Sequence, residues 1–234
     1  MIYVIENKLP VSFGDSLKSD AISCVSDLAE VGLDAIMDEG LLKDVPFIST
    51  AISLYNIGKN LNERHYVKKL AIFLNSINND IADENKREEY IKKFQNNTKF
   101  RNKELEYVLV LIDRYISYEK PQMLAKLYLA YLDGVIIWEE LTMYAEVIDR
   151  FILLDSNMLL SADGTVTVHR NIGGESVLRL VALGLMTETT QHSAFTPHGD
   201  GRYGITMGGI RQSLSLDRVY IRTEFGNKLA QILK

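Results

Sequence analysis

The feature that most constrains this fold is a change of hydrophobic period part-way along the chain. From Asp20 to Phe151, apolar residues return roughly every three or four positions, the spacing that turns one face of an α-helix into a core. After Leu160 that spacing stops, and β-branched alternation, threonine and glycine take over. The two stretches call for different architectures. The expected fold is mainly α: an N-terminal multi-helix domain over residues 1–155, then a small α+β domain over residues 156–234, with the boundary near residue 156.

The helical stretch resolves into segments. Residues 2–5 alternate weakly, as a short strand or an ordered arm. Ile22, Val25, Ala29, Leu33, Ile36 and Met37 mark a helix that ends near Gly40. Pro46 suits a first helical position, and residues 47–57 are apolar or small on almost every side before a break at 58–62. Tyr66, Leu70, Phe73, Leu74 and Ile77 mark the next helix, and residues 78–85 read as a polar turn. Tyr90, Ile91 and Phe94 anchor a charged helix, with Asn96-Asn97-Thr98 as punctuation. Leu105, Val108, Leu109, Ile112 and Ile116 share the face of a long helix. Pro121 opens another through Leu124, Leu127, Tyr128 and Tyr131, stopped by Gly134. Leu141, Tyr144, Ala145, Ile148 and Phe151 define the last. About six or seven helices with short connections favour antiparallel neighbours.

In the second stretch, Asp163-Gly164 is a turn before a strand at 165–169. Residues 175–183 return to helix, 203–207 and 219–222 read as strands, and 224–233 as a terminal helix.

Charge and cysteine narrow the activities. Residues 151–234 carry 8 basic against 7 acidic side chains, and residues 1–150 carry 18 against 24. Nucleic-acid readers draw most of their affinity from phosphate neutralisation, and no basic footprint exists here at domain scale. The single Cys24 excludes an internal disulfide and a cysteine-based zinc cluster. No apolar run approaches the roughly 18 residues that span a bilayer, and residues 1–10 lack the features of a signal peptide. A cytoplasmic protein is expected. Phosphate loops, nucleophile elbows and His-Glu-x-x-His motifs are all missing. His169, His192, His198 and Asp200 could in principle gather a metal, but their Gly-rich setting suits exposed polar residues. The expectation is no enzyme, no cofactor and no metal.

Three local features bear on binding. Gly134, Ile136 and Glu140 fit the sixth, eighth and twelfth places of a calcium loop, but Leu129 and Tyr131 occupy the first and third and cannot ligate. Asp133-Gly134-Val135-Ile136 then reads as a helix corner, with glycine supplying a positive φ. Leu111-Ile112-Asp113-Arg114-Tyr115-Ile116 recurs as Val147-Ile148-Asp149-Arg150-Phe151-Ile152, so the Asp and Arg residues should bridge neighbouring helices. The run at 47–57, with Phe47, Ile48, Ile52 and Tyr55, suits a buried central helix. It also suits a helix released onto a membrane or a partner, although it is too short to span a bilayer.

The end of the chain carries a resemblance. Leu180-Val181-Ala182-Leu183-Gly184-Leu185, a variable hairpin, and Tyr220-x-x-Thr223-x-x-Gly226-x-x-Leu229 together resemble the second half of a winged-helix domain. The resemblance covers residues 172–234. It implies that the helix before the hairpin can enter a major groove and that the wing can touch phosphates. The matching positions are Ser176 and Arg179 on the helix, with Arg202, Arg211 and Arg218 on the hairpin. Glu175 in the leading turn favours the helix dipole and repels phosphate. The family normally carries two helices just before this one, whereas here the strand at 165–169 intervenes.

Residues 133–140 also resemble the Asp-Gly-x-Ile-x-x-x-Glu turn of TerB-like helical domains. The whole chain resembles uncharacterised bacterial accessory proteins, some linked to phage defence, through Val45-Pro46-Phe47 and Arg64 to Lys69. The leading expectation is a non-enzymatic interaction module, in a stress or phage-defence setting, whose partner is protein, self or other. A DNA-binding regulator is the alternative, and a membrane-active effector exposing residues 45–57 after a conformational change is the third reading.

Overall fold

The computed structural model describes residues 8–18, 45–54, 61–81, 83–96, 98–161, 164–168, 174–189 and 218–234. The elements expected at 2–5, 20–40 and 203–207 lie outside these residues. The chain divides into two compact units, Met1–Asp149 and Arg150–Lys234. Among the described residues the fold is mainly helical, with ten α-helices and one three-stranded antiparallel sheet.

The first unit contains α1 (Lys8–Leu17), α2 (Pro46–Leu54), α3 (Leu61–Asp80), α4 (Glu84–Gln95), α5 (Thr98–Arg114), α6 (Glu119–Leu132) and α7 (Trp138–Arg150), the last residue of α7 falling in the second unit. Helix α1 packs on α2, α4 and α5, while α3 packs on α6, α5 and α2. The buried faces of α3 to α7 follow the apolar spacing in the sequence. Asp83 caps α4 by accepting the Lys86 amide at 2.8 Å.

The core is aromatic at its centre. Phe13 of α1 meets Phe47 edge-on at 5.0 Å, Phe94 at 4.6 Å, Tyr128 edge-on at 6.1 Å and Phe73 at 6.5 Å. Each aromatic pair adds roughly 0.5–1.5 kcal/mol beyond the area it buries.

Three details differ from the sequence expectation. Ile116 is 96% exposed, because α5 stops at Arg114 and Tyr115 takes the buried position instead. Much of the polar stretch at 78–85 is helical. Helix α3 runs on to Asp80, where Arg87 donates to the Asn78 side chain, and α4 begins at Glu84. Pro121 lies in the first turn of α6, two residues after its start at Glu119.

The second unit holds a 3-10 turn (Leu153–Asp155), α8 (Ser156–Leu159), β1 (Thr165–Val168), α9 (Gly174–Ala182), β2 (Met186–Thr189), β3 (Arg218–Arg222) and α10 (Glu224–Leu233). The strand order is β1-β3-β2, with Val166 opposite Tyr220 and Tyr220 opposite Glu188. Helix α9 ends at a turn through Gly184 and leads into β2. The Thr and Gly of the terminal motif both serve that turn. The Thr223 hydroxyl donates to the Gly184 carbonyl at 2.7 Å and accepts the Gly226 amide at 2.9 Å, which caps α10. The Thr223 amide donates to the Leu185 carbonyl at 3.1 Å. Gly226 lies so close to that carbonyl that a Cβ there would fall well inside contact distance of its oxygen.

Two outcomes follow from this packing. Phe13→Ala should cost the first unit about 3–5 kcal/mol in urea denaturation, whereas Val11→Ala on the exposed side of α1 should stay within about 0.5 kcal/mol. Gly226→Ala should detach α10, so hydrogen exchange across residues 218–233 should lose protection while α3 to α6 keep theirs.

Candidate functional site

Helix α9 is the element that the winged-helix resemblance singles out, and its one cation is Arg179. Asp155, at the end of the 3-10 turn, precedes α8 without capping it, so its carboxylate is free to turn towards α9. Arg179 grips that carboxylate in a bidentate pair. Its Nε donates to Oδ2 at 2.8 Å and its Nη2 donates to Oδ1 at 2.7 Å. The same Nη2 donates to the Ser176 hydroxyl at 3.0 Å. Asp155 is only 1% exposed. The Arg179 hydrogen bonds hold its carboxyl below the usual carboxylate range against the opposing effect of burial, and Ser176 adds to the lowering.

Ser176 and Arg179 are therefore brought together around a buried acid. The outward face of α9 presents Glu175, Leu178 and Ala182, with Leu178 55% exposed. Arg218 opens β3 and lies 3.6 Å from Glu188 on β2, both well exposed. Pairs of that kind contribute about 0–1 kcal/mol. Arg202, Arg211 and Tyr55 lie outside the described residues, as do His169, His192, His198 and Asp200.

The run proposed as a membrane or partner surface faces inward along much of its length. Phe47 and Ile48 are buried, Ile52 is half-buried, and the Phe47 amide donates to the buried Ser16 hydroxyl at 2.8 Å. At the 133–140 corner, Gly134 has φ 73°, the left-handed region that glycine reaches without strain. The Asp133 carboxylate accepts from Lys86 at 2.9 Å and from the Tyr90 hydroxyl. Glu140 accepts the Ile137 amide at 3.1 Å, as a helix-capping acid does. Among the described residues no group of His, Cys, Asp and Glu side chains is arranged to hold a metal ion. No helix among them is long and apolar enough to cross a membrane.

Sequence reasoning missed three cations bound to backbone carbonyls, Lys69 buried and Lys120 and Arg222 half-buried. Lys69 donates to the carbonyls of Asp113 and Tyr115 at 2.8 and 2.6 Å, and Lys120 donates to the Asp149 carbonyl at 2.7 Å. Both lysines thereby cap helix C-termini, and burial lowers the pKa of each. Arg222 donates to the Leu159 carbonyl at 2.8 Å and packs against Gly164. A lysine flanked by Tyr66, Val67 and Leu70 on one helix was the available signal for Lys69. The repeated Asp-Arg pair does bridge two helices, since Arg114 of the first copy pairs with Asp149 of the second.

No family model matches this chain, and no match was found among curated proteins or solved structures.

The Asp155–Arg179 pair makes stability depend on pH with a definite sign. A depressed folded-state pKa means that the unfolded chain binds the proton more tightly. The stabilisation is complete above the ordinary carboxylate value of about 4 and drains away as pH falls through the lower folded-state value. Asp155→Asn should remove this acid-sensitive part, so the second unit's denaturation midpoint should drop at neutral pH and vary less between about pH 2 and pH 5.

Proposed function

We propose that this chain is a non-enzymatic protein-interaction module, and that the outward face of α9 is one of its contact surfaces. One observation carries the reading. The only cation on α9 is bound by a buried acid, while an exposed leucine stands beside it between Glu175 and Ala182. A helix that reads DNA needs cations or amides on its outer face to meet phosphates and base edges. This face offers an apolar centre and a negative charge, which suit a protein partner better.

We read the second unit as a winged-helix arrangement. The order β1-β3-β2, the antiparallel pairing, and the passage from α9 through Gly184 into β2 support that reading. Winged helices serve protein contacts as well as DNA, so the fold does not by itself choose between them. The resemblance to bacterial accessory proteins supplies a setting of stress or phage defence.

A photo-crosslinking residue placed at position 178 in cells should give discrete protein adducts, and Leu178→Asp should abolish function with the second unit still folded. In parallel, fluorescence anisotropy with duplex DNA at low salt should show no saturable binding. Salt-dependent binding that weakens on Arg202→Ala, Arg211→Ala or Arg218→Ala would instead establish the DNA-binding regulator.

A further inference from the structure

A second surface lies on the sheet of the second unit. The register sets two rows across its three strands, Thr165–Ile221–Thr187 and Thr167–Val219–Thr189. Side chains alternate between faces along a strand, so these six residues share one face. Tyr220 and Met186, both buried, mark the opposite face as the one that meets the core. On the outward face Thr165, Thr167 and Thr187 are exposed, Ile221 is 39% exposed, and Val219 and Thr189 are half-buried.

None of these six outward side chains carries a charge. Arg218, Arg222 and Glu188 all alternate to the other side, where Arg218 lies 3.6 Å from Glu188. Threonine by itself suits a solvated strand. A solvated sheet face in a chain that is 24% charged should also carry lysine or glutamate, and it should not centre on valine and isoleucine. Each row reads threonine, aliphatic, threonine, so the pattern is the same from either edge of the sheet.

We propose that this face packs against the same face of a second copy of the chain. A two-fold contact requires a patch that is complementary to itself. Turning one sheet over onto another, about an axis along β3 or across it, lays the aliphatic stripe on its counterpart and threonine on threonine. Flat faces of β-branched side chains stack in this way with about 10 Å between sheets. The chain has a net charge of −5, so two copies repel, and a charge-free face is where they can approach. The same lack of cations offers nothing to a phosphate backbone or an anionic bilayer. A patch this small falls short of the roughly 800 Å² per partner of a stable interface, so the pairing is weak and depends on local concentration. It makes no use of α9, so it stands or falls separately from the contact proposed there.

Small-angle X-ray scattering of the full-length protein should show a monomer–dimer equilibrium as its concentration rises to about 1 mM. Ile221→Lys and Thr187→Lys should each weaken association about tenfold or more, and Leu178→Asp on α9 should leave it unchanged. Ile221→Lys mixed with Ile221→Glu should associate more tightly than either variant alone, because self-pairing brings the opposite charges together. Hydrogen exchange across β3 checks the fold of every variant, and the exposed Thr187 position carries the test if Ile221→Lys loosens the sheet.

A protein that stays monomeric throughout, sheet variants that associate as the parent does, or a mixture no tighter than its parts would overturn the proposal. So would association lost with Leu178→Asp alone, which would place the contact on α9.

Discussion

The first unit depends on the ring of Phe13. Helix ridges packed into grooves can slip by a turn at modest cost, but one ring shared among Phe47, Phe73, Phe94 and Tyr128 ties four helices to a fifth at once. From Tyr128 the aromatic contacts continue outward through Tyr131 at 6.1 Å to Trp138 at 5.4 Å, and from there to Tyr107. A continuous line of rings thus runs from the centre of the core to the outer edge of α5 and α7. The surface those helices present is set by the same packing that holds the interior.

Legibility of this fold in the sequence followed the strength of its periodicity. Helices α3, α5, α6 and α7 could be read because their apolar residues recur over about two turns or more, and α4 from the shorter group Tyr90, Ile91 and Phe94. Helix α1 could not, although it carries the central ring. Pro10, Gly14 and the serines at 12 and 16 interrupt its pattern. Two of those residues earn their burial through hydrogen bonds, Ser12 donating to the Leu9 carbonyl and Ser16 accepting from Phe47. Ile116 misled for the opposite reason, since the spacing continued past the point where the helix stopped. In the second unit the strands at Thr165–Val168 and Arg218–Arg222 were legible from β-branched residues. The pairing of Asp155 with Arg179 was not, because residues 24 apart share no period that links them.

Counting charges along the chain also overstated what reaches the surface. Arg179 serves a buried carboxylate, and Arg222, Lys69 and Lys120 serve backbone carbonyls. These cations hold helix ends and turns in place, so they add little to any outward field. The near-neutral count of the second unit conceals which cations are already engaged, and Arg179, its side chain still 36% exposed, is committed to the buried Asp155 carboxylate.

The contact between Gly226 and the Leu185 carbonyl has a consequence for how this chain can diverge. Apolar core positions tolerate exchange when total volume is kept, and exposed positions tolerate nearly anything. A site with no room for even a methyl group admits neither kind of drift while α10 stays docked. Sequences that have lost every other likeness to this one could therefore still be recognised by a hydroxyl-bearing cap, a glycine three residues later, and a leucine–glycine turn upstream to receive them.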